Sequence, residues 1–146
     1  MADDADGGDG EQLAPEADET NEAPALIMAK IEQRGKDVDA LLRKQQVADA
    51  LKTALADPPT NTRDENCKDA NYAVMLKAIM SVKEVDPVLS QLSSKEADIL
   101  MKYLYKGLAS GEKAICDQCL RLHEKLTEKV GVGSIIRALG DSKHTV

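Results

Sequence analysis

From about Asp37 to Leu139 the apolar residues recur every three to four positions, in blocks cut by proline, glycine or a capping residue. No stretch alternates apolar with polar. A period near 3.6 places apolar side chains on one face of a helix, whereas a half-buried strand needs a period of two. The pattern predicts an all-α body. Val38, Leu41 and Leu42 form one apolar face. Val47, Ala50, Leu51, Ala54 and Leu55 form the next, stopped by Pro58-Pro59. Residues 63–82 are expected to be the longest helix, capped by Asn61 or Thr62. One of its stripes is Tyr72, Met75, Leu76, Ile79 and Met80, and beside it run Ala70, Ala73, Val74, Ala78 and Val82. A helix apolar on two faces belongs at the centre of a bundle.

Shorter signals set out the second half. A helix is expected over 86–92, with Asp86 as cap and Pro87 at its first position. Ser93 and Glu96 have the spacing of a capping box for the helix carrying Ile99, Leu100, Leu104 and Leu108, whose end Gly107 and Gly111 bracket. Ile115, Cys119, Leu122, Leu126 and Val130 stripe the next helix, ended by Gly131. Ser134 to Leu139 form the last, closed by Gly140. A weak repeat runs through the series. Val38-Asp39-Ala40-Leu41-Leu42 returns as Val85-Asp86-Pro87-Val88-Leu89 and again as Val132-Gly133-Ser134-Ile135-Ile136, each time 47 residues on. A helical period of about 40–47 residues is that of armadillo and HEAT-like stacks, which present broad surfaces to other proteins. The expected architecture is an α/α superhelix of about seven helices.

Charge divides the chain. Residues 1–24 hold nine acids and no Lys or Arg, leaving 19 basic against 17 acidic residues in 25–146, a net of +2 in a chain of net −7. So charged a segment buries too little apolar surface to offset the entropy of ordering, and 1–24 is read as a disordered acidic tail. A solubilising leader and a tether along a partner's surface both fit it. Pro24 and Gly35 frame Ala25-Leu26-Ile27-Met28-Ala29-Lys30-Ile31 as a short helix over 25–34, packed on its own body or docked on a partner. The domains are thus 1–24 tail, 25–36 linker or docking helix, and 37–146 helical body.

The 146 residues suit one domain. No apolar run approaches the ~20 residues of a membrane span. The acidic start has neither the basic nor the apolar region of a secretory signal, and three cysteines read as reduced thiols of a cytosolic protein. Three tyrosines with no Phe or Trp leave few stacking platforms for nucleic acid. Two histidines leave little for general acid–base chemistry. Cys116-x-x-Cys119-x-x-x-His123 shares a helix face, but structural zinc takes four ligands and redox chemistry wants the pair at a helix N-terminus in a βαβ unit. Cys119 also lies on an apolar stripe, where a thiol behaves as a small hydrophobe. Gly131-Val132-Gly133-Ser134 lacks the strand, third glycine and lysine of a phosphate loop. No catalytic group, cofactor or metal is expected. Tyr103 and Tyr105 point to different faces, with Lys106 at the helix end complementing its dipole. An interfacial tyrosine and one with a buried ring and wet hydroxyl are equally compatible with this placement.

Three segments carry a resemblance. Asp57-Pro58-Pro59-Thr60-Asn61-Thr62, the run from Asp98 to Gly107 (DILMKYLYKG), and Gly131-Val132-Gly133-Ser134-Ile135-Ile136-Arg137 together resemble the sixteen-kilodalton subunit family (subunit 5) of the actin-related protein 2/3 complex. His123-Glu124-Lys125 and Thr145-Val146 are similar too, and the likeness runs from about Val38 to Val146. It implies a non-enzymatic structural subunit of a seven-protein assembly that nucleates branched actin filaments, in the cytoplasm and cytoskeleton at cortical actin and cell projections. It further implies an α/α superhelical body docked on the β-propeller subunit near the twenty-kilodalton subunit, an acidic N-terminal arm tethering actin-related protein 2, and only indirect contact with actin filaments. Neither nucleic acid nor membrane insertion is implied. Residues 1–36 depart from the family pattern, lacking its aromatic-containing acidic motif and offering a glycine- and acid-rich leader with Leu26-Ile27-Met28 instead. The interface residues expected are Leu26, Ile27, Met28, Tyr105, Lys106, Ile135 and Arg137. Two other classes remain beside this one: a free-standing helical-repeat adaptor binding peptides reversibly, and a thiol or metal protein using Cys116, Cys119 and His123.

Overall fold

Helices form where the apolar period runs in the computed structural model, which describes residues 22–141 and 143–146. They are α1 (Pro24–Arg43), α2 (Val47–Leu55), α3 (Glu65–Met80), α4 (Val85–Leu89), α5 (Ser94–Ala109), α6 (Lys113–Val130) and α7 (Val132–Gly140). The described residues contain no strand. The array is the all-α helical stack expected. Of the expected acidic tail, residues 1–21 lie outside the described residues, and Pro24 already begins α1.

Where the structure differs, the difference lies mostly in helix ends. The break expected at Gly35 is absent: α1 runs through it to Arg43 and, at 20 residues, is the longest helix. The division at 36/37 therefore falls inside one helix. The reason is phase. Ile27, Ile31, Arg34, Val38 and Leu41 continue one stripe across Gly35 without a slip, and tertiary packing along a stripe overrides a single weak residue. The chain turns instead at Gln45, which takes a left-handed φ of 61°. α3 has 16 residues, not the expected 20, because neither Asn61 nor Thr62 caps it. Asp64 does, its carboxylate accepting from Asn66 N at 2.9 Å, while Thr62 Oγ1 accepts from Asp64 N at 3.1 Å and shapes the preceding turn. α4 starts at Val85 with Glu84 as its cap residue, so Asp86 lies in the first turn rather than capping it. α7 opens two residues before the expected Ser134.

Other signals are realised as read. The capping box is closed from both sides, with Glu96 N donating to Ser93 Oγ at 3.1 Å and Ser93 N to Glu96 Oε1 at 2.9 Å. Gly131 ends α6 at a φ of 80°, a conformation open to glycine. α3 packs against α1, α2, α5 and α6, but α2, α5 and α6 each meet four other helices too, and Ala73 and Met80 of its expected stripes are exposed, so the expected central place is shared. The core joins Val38, Leu51, Leu55, Met75, Ile79, Leu100, Met101, Leu104, Leu122 and Leu126 into one cluster.

Candidate interaction surfaces

α7 shows most plainly what the core does not use. Its nine residues carry Ile135 and Ala138 toward the core, yet Ser134 is its one fully buried residue. Val132, Ile136 and Leu139, at i, i+4 and i+7, lie on one face and are 62%, 66% and 66% exposed. Single exposed hydrophobes are ordinary, whereas a contiguous row on one helix marks an interaction surface. Polar bonds hold the other side of α7 to α5. Ser134 Oγ donates to Asp98 Oδ1 at 2.7 Å, and Arg137 reaches both Asp98 oxygens through Nη2 at 2.9 Å and Nε at 3.1 Å. Burial pushes the Asp98 carboxyl up, but the Arg137 and Ser134 hydrogen bonds outweigh it and hold Asp98 below the ordinary carboxylate range.

The start of α1 is a second surface. Leu26 is 59% exposed, while Ile27 and Met28 are half-buried. Ile27, Ile31 and Arg34 face Asp57, Pro58, Pro59 and Thr62 across a small pocket. Cys67 Sγ lies 3.7 Å from the Pro24 carbonyl, placing the first turn of α1 over the start of α3. Lys30 pairs with Glu22 at 2.8 Å on the outer side.

The remaining expected residues are engaged within the chain. Tyr105 Oη lies 2.8 Å from His123 Nε2, the rings meeting edge to face at 5.4 Å. Lys106 Nζ donates to the Val146 carbonyl at 3.0 Å and sits 5.1 Å from the Tyr72 ring centre. Tyr103 is fully buried, so the two tyrosines do divide between faces. Cys116, Cys119 and His123 are turned to separate partners. Cys116 Sγ donates toward the Leu108 carbonyl at 3.5 Å, Cys119 is buried, and His123 holds Tyr105. Burial, with Cys116 nearby, pushes the Cys119 thiol up to about 11, the opposite of an activated thiolate. Among the described residues no three His, Cys, Asp or Glu side chains gather as a metal site, and no helix is long and apolar enough to cross a membrane.

An all-helical body with apolar rows left outside its own core fits a chain built to be one part of something larger. The family model described as ARP2/3 complex 16 kDa subunit (p16-Arc) matches residues 3–145. The chain belongs to that family. It is 48% identical over 128 residues to actin-related protein 2/3 complex subunit 5A of Arabidopsis thaliana, covering 88% of this chain and 96% of that protein. Subunit 5B of the same plant is 47% identical, covering 90% of this chain and 94% of that protein. Subunit 5 of Dictyostelium discoideum is 36% identical, covering 88% and 93%.

The expected residues fall on separate helices, Leu26, Ile27 and Met28 on α1 and Ile135 and Arg137 on α7, and these two helices do not pack extensively against each other. Sequence reasoning selected Ile135 and passed over Val132, Ile136 and Leu139. A signal was present. Adjacent isoleucines stand about 100° apart around a helix, so Ile135 and Ile136 cannot both face the core. Val132 and Leu139 share the phase of Ile136.

Proposed function

We propose that this p16-Arc family member is a non-enzymatic structural subunit of the actin-related protein 2/3 complex. In this reading it works in the cytoplasmic actin cytoskeleton, at cortical actin and cell projections. It supports nucleation of branched filaments and meets filaments only through the assembly. The exposed row Val132, Ile136 and Leu139 on α7 carries the reading. Stable subunit interfaces have an apolar centre and a polar rim, and this row with Arg137 beside it supplies both. The body docks on the β-propeller subunit beside the twenty-kilodalton subunit. Leu26, Ile27 and Met28 help to tether actin-related protein 2. Tyr105, Lys106, Ile135 and Arg137 complete the docking surface, with Tyr105, Lys106 and Arg137 positioned in advance by the internal bonds described above and Ile135 by its packing on the core.

The test is a tagged full-length chain recovered from native cytosolic extract at moderate salt, resolved by gel filtration and mass spectrometry. Co-elution with two actin-related proteins and a β-propeller subunit in near-equal amounts is the expected result. Ile136→Asp together with Leu139→Asp should cut that recovery while leaving the helical content of the purified chain unchanged. A lone monomer, or a changing set of weak partners, would overturn the reading in favour of a free-standing adaptor.

A further inference from the structure

α1 is uneven along its length. Beyond residue 36 it buries Val38 and packs Leu41 and Leu42 on the core. Before residue 34 Ile31 is its one buried apolar side chain. Gly35 separates the two halves. A Cβ there would meet nothing nearer than Val74 Cγ2 at 3.4 Å, an ordinary contact, and Gly35 has no left-handed φ. Neither packing nor backbone geometry demands glycine, yet a glycine in a helix interior loosens it.

Arg34 stands next to this weak point, in a stripe that is otherwise apolar. It is 8% exposed, and its guanidinium donates through Nη1 to Asn71 Oδ1 at 2.5 Å and through Nη2 to the Asp57 carbonyl at 3.0 Å. Asn71 Nδ2 in turn donates to Tyr103 Oη at 2.5 Å. One side chain thus ties α1 to α3, through Asn71 to α5, and to the α2–α3 turn. Asp57 sits at that turn with a left-handed φ of 49°. Among the described residues the cation has no buried counter-charge: the Asp57 carboxylate lies 3.8 Å away and is 69% exposed. Such a network fixes one geometry sharply but adds little net attraction, because burial of the cation offsets much of what its hydrogen bonds contribute. When it opens, the arginine returns to water and takes its desolvation cost with it.

We propose that residues 24–34 are a latched arm: hinged at Gly35, docked through Arg34 on Asp57, Asn71 and Tyr103, and able to leave the body as one piece while residues 36–43 stay in place. Release exposes Ile27, Met28 and Ile31 together, so the latch governs how the tethering segment is presented to a partner. That consequence rests on the proposed tethering role; the latch itself does not.

Amide hydrogen exchange read by mass spectrometry on the full chain tests it. In the unaltered chain the amides of 28–34 should exchange together and faster than those of 38–43. Arg34→Met keeps the stem but leaves Asn71 Oδ1 and the Asp57 carbonyl without their donors in the docked state; that penalty should speed exchange at 28–34 by about tenfold or more and leave 38–43 unchanged. Arg34→Lys retains the charge but not the two-pronged donor set, and should fall between. Gly35→Ala, which only strengthens the helix, should slow 28–34 by about two- to fivefold. Equal acceleration of both halves in Arg34→Met, or no change at 28–34 in Gly35→Ala, would overturn the latch. Neither outcome touches the recovery of complex subunits, so failure here and failure of the subunit reading are told apart.

Discussion

α5 holds α6 and α7 by different means. Against α6 the contact is apolar and close. Gly107 lies where an added Cβ would fall 2.5 Å from Cys119 Sγ and 3.3 Å from Ile115 Cγ2, with Leu100, Leu104, Leu122 and Leu126 in the same buried cluster. α7 adds polar bonds to the packing of Ile135 and Ala138: Asp98 holds Ser134 and Arg137, and just beyond the helix Lys102 Nζ donates to Asp141 Oδ2 at 2.8 Å and to the His144 carbonyl at 2.9 Å. Both helices are amphipathic, although α7 is half as long and more apolar. α6 spends its apolar face on the body, whereas α7 is fastened partly by charge and keeps part of its apolar face outward. Amphipathicity therefore predicts that a helix will be covered, not by which molecule.

The sharpest way to test the contrast is to shorten one side chain on each side of it. Leu104 is fully buried, so Leu104→Ala should lower the unfolding free energy by about 2–5 kcal/mol. Ile136→Ala removes as much apolar surface from a residue 66% exposed and should stay within about 0.5 kcal/mol of the parent. Denaturant unfolding of the full chain, followed by far-ultraviolet circular dichroism, reads both. A comparable loss in Ile136→Ala would mean that the α7 face is covered within the chain, and the distinction between the helices would collapse.

The same contrast explains what was legible in the sequence. Buried stripes such as Ile115, Cys119, Leu122 and Leu126 were readable because many residues repeat one signal, and packing agrees with all of them. Ends were less readable because one or two side chains decide them. Asp64 rather than Thr62 caps α3, and both are ordinary capping residues. Gly35 looks like a stop in the sequence, but it lies within α1 with no left-handed φ, whereas Gly131 takes one and ends α6. On α7 the pattern singles out Ile135, which the fold packs against the core, and not Val132, Ile136 and Leu139, which it leaves exposed. Arg34 was invisible, since a charged residue in an apolar stripe looks like a solvent-facing one until Asn71 and Tyr103 are brought beside it by the fold.

A smaller effect is expected from adding a single methyl group. Gly107→Ala would force Cys119 or the α5–α6 spacing to give and should cost about 1–3 kcal/mol. Gly140→Ala, where a Cβ meets nothing within 4 Å, should be neutral or stabilising by up to about 1 kcal/mol. Thermal unfolding of the two variants side by side measures the pair. Equal tolerance at both positions would show that α5 and α6 can separate slightly without loss, and that their contact is less exacting than its geometry.

The smallest effect should appear in acid, and it falls on α7 alone. The Lys102 hydrogen bond, helped by His144, holds the Asp141 carboxyl well below the usual carboxylate range, and Asp98 is also held below it. A carboxyl with a depressed pKa in the folded chain contributes its full stability above the ordinary value, about 3.9 for aspartate, and loses it as pH falls from there toward the folded value. Protonation removes the negative charge that Lys102 and Arg137 pair with while leaving the apolar α5–α6 contact unaltered. Between pH 5 and pH 2 the amides of 135–140 should therefore lose protection relative to those of 119–126, after correction for intrinsic exchange rates. Added salt should act in the same direction, because Arg137 is largely exposed and its attraction to Asp98 is open to screening. If both segments loosen together in acid, the polar fastening is not what distinguishes α7. Its outward row would then have to be explained by the short length of the helix, nine residues with few turns to bury.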